Sequence, residues 1–178
     1  MFDHLHPYIS DANTNIMLSL SFFASHIFLL PANIVLAIFF LFIKKDKWIS
    51  IKVIVVSLGS VLLMSFLKLY FSRVRPDHPV HHAASGYSFP SGHSMSAMTF
   101  YGLIIYLFVS KLKDDRAKWL LVVFLSLLIL AIGFSRIYLR VHFASDVLGG
   151  YAIGYLWLVV SLWTLNSFQK KSFKEKKM

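Results

Sequence analysis

Between Ile16 and Ile43 the chain runs without a single Lys, Arg, Asp or Glu. A helix needs roughly 20 apolar residues to cross a bilayer, so this run is long enough to do so with some tilt. Four more apolar runs follow: Val53 to Phe71, with Lys68 near its far end, Ser94 to Ser110, Trp119 to Ser135, and Val147 to Phe168. In lipid the backbone must satisfy its own hydrogen bonds, which leaves helices as the natural form for such runs. The expected fold is therefore all-α, an integral-membrane bundle of about five to six transmembrane helices. Residues 1–15 read as an N-terminal interfacial segment, 16–168 as the transmembrane domain, and 169–178 as a basic cytoplasmic tail. Pro31 is expected to kink the first span, and that run can also be read as a broken pair of shorter helices.

Composition agrees, with 57% hydrophobic and 15% charged residues. There are no cysteines, so neither a disulfide framework nor a thiolate metal site is available. The formal charge of +10 raises the question of nucleic acid, but the distribution of that charge answers it. Lys44, Lys45, Lys47 and Lys52 follow the first span, and Lys111, Lys113, Arg116 and Lys118 follow the third. Lys170, Lys171, Lys174, Lys176 and Lys177 close the chain. With five spans all of these fall on one side, which the positive-inside rule makes cytoplasmic. The bilayer is the expected partner and nucleic acid is not. No cleavable signal peptide is read at the start, where a basic segment is missing. The tail lies against anionic inner-leaflet lipid or in solvent.

Three clusters remain on the outer side, each beside the end of a span. The first is Lys68-Leu-Tyr-Phe-Ser-Arg-Val-Arg75-Pro76, the second Pro90-Ser91-Gly92-His93, and the third Ser135-Arg136 followed by His142 and Asp146. Lys68, Arg75 and Arg136 are cations converging from different spans, a set that suits an anion such as phosphate. An ionisable residue within a span is itself a candidate for function. Ser91 is placed to cap the third span, Gly92 permits close backbone approach, and the N–H groups of a helix start cradle anions. His93 sits at the rim of that cradle. If the last span is helical at its start, His142 and Asp146 share a face. A carboxylate on one imidazole nitrogen then leaves the other free to attack.

Taken singly, each feature has a plain structural reading. Lys68 can snorkel to the interface, Ser91-Gly92 can be an ordinary helix start, and His142 with Asp146 can be a structural pair. His78, His81 and His82 resemble a metal cluster, but only Asp77 accompanies them, so they read as loop histidines, and no metal or cofactor is expected. His4, His6 and His26 carry no partner pattern. The three spacings occurring together are much harder to explain structurally.

The joint pattern Lys-x6-Arg-Pro, Pro-Ser-Gly-His and Ser-Arg-x5-His-x3-Asp resembles the type 2 phosphatidic acid phosphatase (PAP2) superfamily at every motif position. That superfamily also holds vanadium haloperoxidases and glucose-6-phosphatase-like enzymes. The resemblance runs from Lys68 to Asp146 and implies a metal-independent lipid phosphatase. His142 would attack phosphorus to form a phosphohistidine, held by Asp146, and His93 would protonate the leaving oxygen and then activate water. Lys68, Arg75, Ser91, Gly92 and Arg136 would bind the phosphoryl group. Family members commonly have six spans, so five departs from the pattern at the N-terminus. Many relatives carry Gly where this chain has Arg140, a cation able to meet a second phosphate or an acidic head group.

The substrate implied is a phosphorylated lipid: an undecaprenyl diphosphate, phosphatidylglycerol phosphate, phosphatidic acid or a lipid A phosphate. The site would face outward from a bacterial cytoplasmic membrane. Readings left open are a lipid phosphotransferase, a non-catalytic lipid-phosphate-binding protein and, more remotely, a vanadate-dependent peroxidase. Oligomeric state is not legible in the sequence.

Overall fold

In the computed structural model, which describes residues 7–81 and 85–175, every regular element is helical. The order is α1 (Asp11–Phe22), α2 (His26–Ile38) running into a π-helical turn (Phe39–Ile43), α3 (Lys47–Phe71), α4 (Gly92–Val109), α5 (Asp115–Tyr138) and α6 (Ala144–Glu175). Five stretches are long and apolar enough to cross a membrane, with Asp11–Ile43 counting as the first. His4, His6, His82, Lys176 and Lys177 lie outside the described residues.

Local chemistry explains most boundaries. Asp46 Oδ1 accepts the N–H groups of Trp48 (3.1 Å) and Ile49 (3.2 Å) at the start of α3. Asp114 does the same for Arg116 (3.0 Å) at the start of α5. Both carboxylates satisfy orphan donors and sit at the positive end of a helix dipole. The first span is indeed interrupted, but at Phe23–Ser25 and not at Pro31. Ser25 caps α2 by accepting the Phe28 N–H at 3.3 Å, whereas Pro31 lies inside α2. A serine able to bond the next turn's backbone offers an alternative to helix continuation, and here it restarts the helix. Residues before and within α1 take part in the packing. Ile9, Met17 and Leu18 pack against Tyr138, Leu139 and Val141, and the Tyr138 hydroxyl donates to the Tyr8 carbonyl at 3.1 Å.

The bundle is built around α4, which meets α3, α5 and α6. Its contact with α6 is the most extensive in the molecule, and two small residues permit it. A Cβ on Gly150 would stand 2.8 Å from the Ser91 carbonyl oxygen, and one on Gly154 would stand 3.0 Å from that of Met95. Four residues apart on one face, they form the small-xxx-small seam that lets membrane helices approach backbone to backbone. Polar groups inside the bundle pair across helices, as with Ser57 and Asn33 at 2.5 Å and Ser60 and Thr99 at 3.4 Å. The outward faces are apolar: Leu62, Leu120 and Trp163 are each more than two-thirds exposed. That arrangement suits lipid as the surrounding solvent and would be unstable in water.

Candidate active site

The described residues of the α3–α4 loop, the first turn of α4 and the α5–α6 connection meet at one end of the bundle. His142 is 2% exposed and Asp146 is fully buried. They do not share a helix face, because His142 lies in the turn before α6, which begins at Ala144. Asp146 instead reaches backward from the first turn, its Oδ2 accepting the Phe143 N–H at 2.8 Å. This is the carboxylate half of a capping box, so the same group that starts the helix is aimed at the loop before it. Nδ1 of His142 stands 3.7 Å from Asp146 Oδ2, too far for a direct hydrogen bond. Ser88 fills the space between them: its hydroxyl donates to Oδ2 at 2.5 Å and lies 3.4 Å from Nδ1. The opposite ring nitrogen, Nε2, faces Arg75 Nη1 at 3.2 Å. Burial holds the His142 imidazole down to about 4, with Arg75, Arg136 and Lys68 pushing the same way and Asp146 opposing them. It is therefore neutral near pH 7, which is the form with a free lone pair.

The cations are brought to the same end from three elements. Lys68, in the last turn of α3, donates to the Tyr87 carbonyl at 2.6 Å. Arg75 donates to the carbonyls of Gly86 (2.9 Å), Ser85 (3.0 Å) and Val141 (2.8 Å). Both thus hold residues 85–87 of the loop. Arg136, in the last turn of α5, donates to the hydroxyl of Ser21 on α1, while its buried Nε has no partner among the described residues. An orphaned guanidinium N–H is costly to bury and is a donor in want of an acceptor.

The second motif divides its work. Ser91 is fully buried; its hydroxyl accepts from Ser94 Oγ at 2.9 Å, and its N–H donates to the Asp146 carbonyl at 2.9 Å. That last bond ties the second motif to the third. A Cβ on Gly92 would stand 2.8 Å from Met64 Sδ on α3, so its bareness also makes room for helix packing. The first-turn N–H groups of Gly92 and His93 are those that helix geometry leaves for a ligand. His93 lies within electrostatic reach of His142, Arg75 and Arg136. Among the described residues no three His, Cys, Asp or Glu side chains converge as a metal site, and His78 and His81 are not brought into one.

Two contributors escaped the sequence reading. Ser88 bridges His142 and Asp146, and Arg73 Nη1 donates to Asp146 Oδ1 at 2.7 Å. Arg73 was visible as the first arginine of Arg-x-Arg-Pro. In an extended segment residues two apart share a face, and the residue before proline favours that conformation. Val74 between them is 78% exposed, as the alternation requires. Ser88 carried no comparable signal. Lys68, Arg73, Arg75 and Arg136 against one carboxylate leave a surplus of positive charge suited to a phosphate dianion.

Comparison with known proteins agrees with this chemistry. The PAP2 superfamily profile matches residues 48–170. Phosphatidylglycerophosphatase B of Bacillus subtilis is 36% identical over 143 residues, covering 79% of this chain and 70% of that protein. The lipid A 4'-phosphatase of Porphyromonas gingivalis is 32% identical over 133 residues, and the match spans 66% of this chain but only 52% of that one. The crystal structure of a transmembrane PAP2-type phosphatidylglycerolphosphate phosphatase from Bacillus subtilis superposes with a TM-score of 0.82 at 30% identity, covering 96% of this chain and 83% of that one. Aquifex aeolicus LpxE shares the fold, with a TM-score of 0.67 at 24% identity over 90% of this chain and 92% of that one. The chain belongs to the PAP2 superfamily and is an integral-membrane phosphatase of the lipid-phosphate class.

Proposed function

We propose that the enzyme removes phosphate from a membrane lipid through a covalent phospho-His142, with the site on the outer face of a bacterial cytoplasmic membrane. The observation that carries this reading is the two-sidedness of the imidazole: Nδ1 faces Ser88 and Asp146, while Nε2 faces the cationic pocket. Nε2 attacks phosphorus and the bond from phosphorus to the lipid oxygen breaks. His93 delivers a proton to that departing oxygen. Water then attacks phosphorus, giving its proton to His93, the P–N bond breaks, and inorganic phosphate leaves. Lys68, Arg75 and Arg136 hold the nonbridging oxygens throughout, with the first-turn N–H groups of Gly92 and His93 and the Ser91 hydroxyl at the helix mouth. These fixed cations supply the charge stabilisation that a divalent ion gives in other phosphatases, so turnover in chelator is expected.

The tail of the substrate stays in the bilayer, and the names of the relatives favour phosphatidylglycerol phosphate or a lipid A phosphate first. Phosphatidic acid and undecaprenyl diphosphate carry the same reacting group, and the short loops offer little surface to discriminate against them. The test is phosphate release in chelator, by detergent-purified protein, from each of these four lipids, with His142→Ala beside it. Release that vanishes in the variant is expected. Retention of a tenth of the wild-type rate by His142→Ala, or a loss in chelator restored by a divalent ion, would overturn the mechanism. Phosphate appearing on an added lipid alcohol in place of water would make the enzyme a phosphotransferase.

A further inference from the structure

Whereas Arg75 faces Nε2 of His142, Arg73 is turned onto the carboxylate. Its Nη1 donates to Asp146 Oδ1 at 2.7 Å and to Ser145 Oγ at 2.7 Å, and its guanidinium lies 4.4 Å from the centre of the Phe143 ring. Asp146 Oδ2 is held separately, by Ser88 Oγ at 2.5 Å and the Phe143 N–H at 2.8 Å. The carboxylate is fully buried, with each oxygen assigned to a different partner. Without Arg73, a buried negative charge would stand among Lys68, Arg75 and Arg136 and be drawn toward cations that the phosphate needs. It would also lose the bond that fixes its rotation.

We propose that Arg73 is a positioning residue for this reaction: it anchors Asp146 through Oδ1 so that Oδ2, with Ser88 as the link, orients the Nδ1 edge of His142 and presents Nε2 to phosphorus. The proposal deepens the reading of His142 as nucleophile and rests on it. Arg73 and Arg75 thus divide one face of an extended tripeptide, the first serving the carboxylate and the second the phosphate. Arg73 also screens Asp146 from the imidazole. The groups facing His142 are Asp146 from α6, Arg75 and Ser88 from the loop, Lys68 from α3, Arg136 from α5 and His93 from α4. Removing Arg73 leaves the Asp146 charge less neutralised, which favours protonated His142. The acid limb of turnover then moves to higher pH.

The experiment is steady-state kinetics on short-chain phosphatidic acid in chelator, across pH, for Arg73→Gln, Arg73→Lys, Asp146→Asn, the double variant, Ser88→Ala and His142→Ala. Arg73→Gln is expected to lower kcat about 10- to 100-fold, the range seen when the partner of an orienting ligand is lost, with little change in KM. Its acid limb moves up, and Arg73→Lys recovers most of the rate. In the Asp146→Asn background the same substitution lowers kcat by less than about 2-fold, because both act through one carboxylate. A raised KM at unchanged kcat would make Arg73 a phosphate ligand and overturn the proposal. Full additivity with Asp146→Asn, or an unmoved acid limb, would overturn it as well. If Arg73→Gln fails to fold, Ser88→Ala tests the same chain from the other oxygen, and wild-type kcat in that variant would sink it. His142→Ala separates the two levels: an active variant removes the nucleophile and this proposal together, whereas an inactive one beside an additive Arg73→Gln removes Arg73 alone.

Discussion

An imidazole that attacks phosphorus must be neutral, and His142 is placed to stay so. Burial is the main cause, and the neighbouring cations add to it against the pull of Asp146, giving a value of about 4 in place of the ordinary 6.5. The nucleophile is expected to remain fully available from neutral pH down to about pH 5 and to be lost as pH falls through 4. Nitrogen chemical shifts of His142 in the free enzyme, titrated from pH 7 to pH 3, check this without interference from substrate ionisation. A midpoint near 6.5 would show a solvated ring. The proposed acid makes a different demand: His93→Ala should slow lipid alkoxides most and good leaving groups least, since the latter need no proton. Equal slowing across a leaving-group series would remove His93 from that role. At this scale the motif spacings single out His142, Asp146, His93 and the three cations Lys68, Arg75 and Arg136 as candidates. Ser88 is not among them, because a serine at that point is equally an ordinary loop residue. Only its 2.5 Å approach to Asp146 gives it a part.

At the scale of helices, the seam between α4 and α6 sets the site. The Ser91 carbonyl packs on Gly150 and the Ser91 N–H bonds the Asp146 carbonyl, so one contact aligns two motifs. Gly150→Val should therefore lower stability, since overpacking of this kind costs about 1–3 kcal/mol, and should lower activity further by prising the motifs apart. Thermal unfolding in detergent together with kcat checks both halves, and a stable, fully active variant would show that the seam yields. The interruption at Ser25 was legible only as an alternative to a kink at Pro31. A proline six residues into α2 is accommodated there, while a serine cap needs the neighbouring helices to show whether it is used. The break lets α1 end beside α5, where Ser21 holds Arg136. Ser21→Ala should raise KM by roughly 3- to 10-fold, about the worth of one ordinary hydrogen bond because the loss acts only through the placement of Arg136, with kcat little changed. An unchanged KM would mean that Arg136 is positioned by its helix alone.

For the whole molecule, orientation in the membrane has the plainest test. By the positive-inside rule the loops around Lys45 and Lys113 are expected inside and the end bearing His142 outside. The chain has no cysteine, so each single substitution supplies a unique label. Asp77→Cys should react with an impermeant maleimide in intact cells, and Lys113→Cys only after permeabilisation. The reverse pattern would place the phosphatase chemistry in the cytoplasm.

The sequence by itself determined that the chain crosses a membrane, how its spans are ordered and which residues form the three motifs, because hydropathy over twenty residues and fixed spacings are local properties. Only the tertiary structure decided that His142 precedes α6 and meets Asp146 through a backward-reaching cap, that Gly92 leaves room for Met64, and that Arg73 bonds the carboxylate while Arg75 faces Nε2 of His142. Those outcomes depend on how closely separate helices approach. That distance is set by small residues on facing helices, and a linear pattern of charge and hydropathy does not contain it.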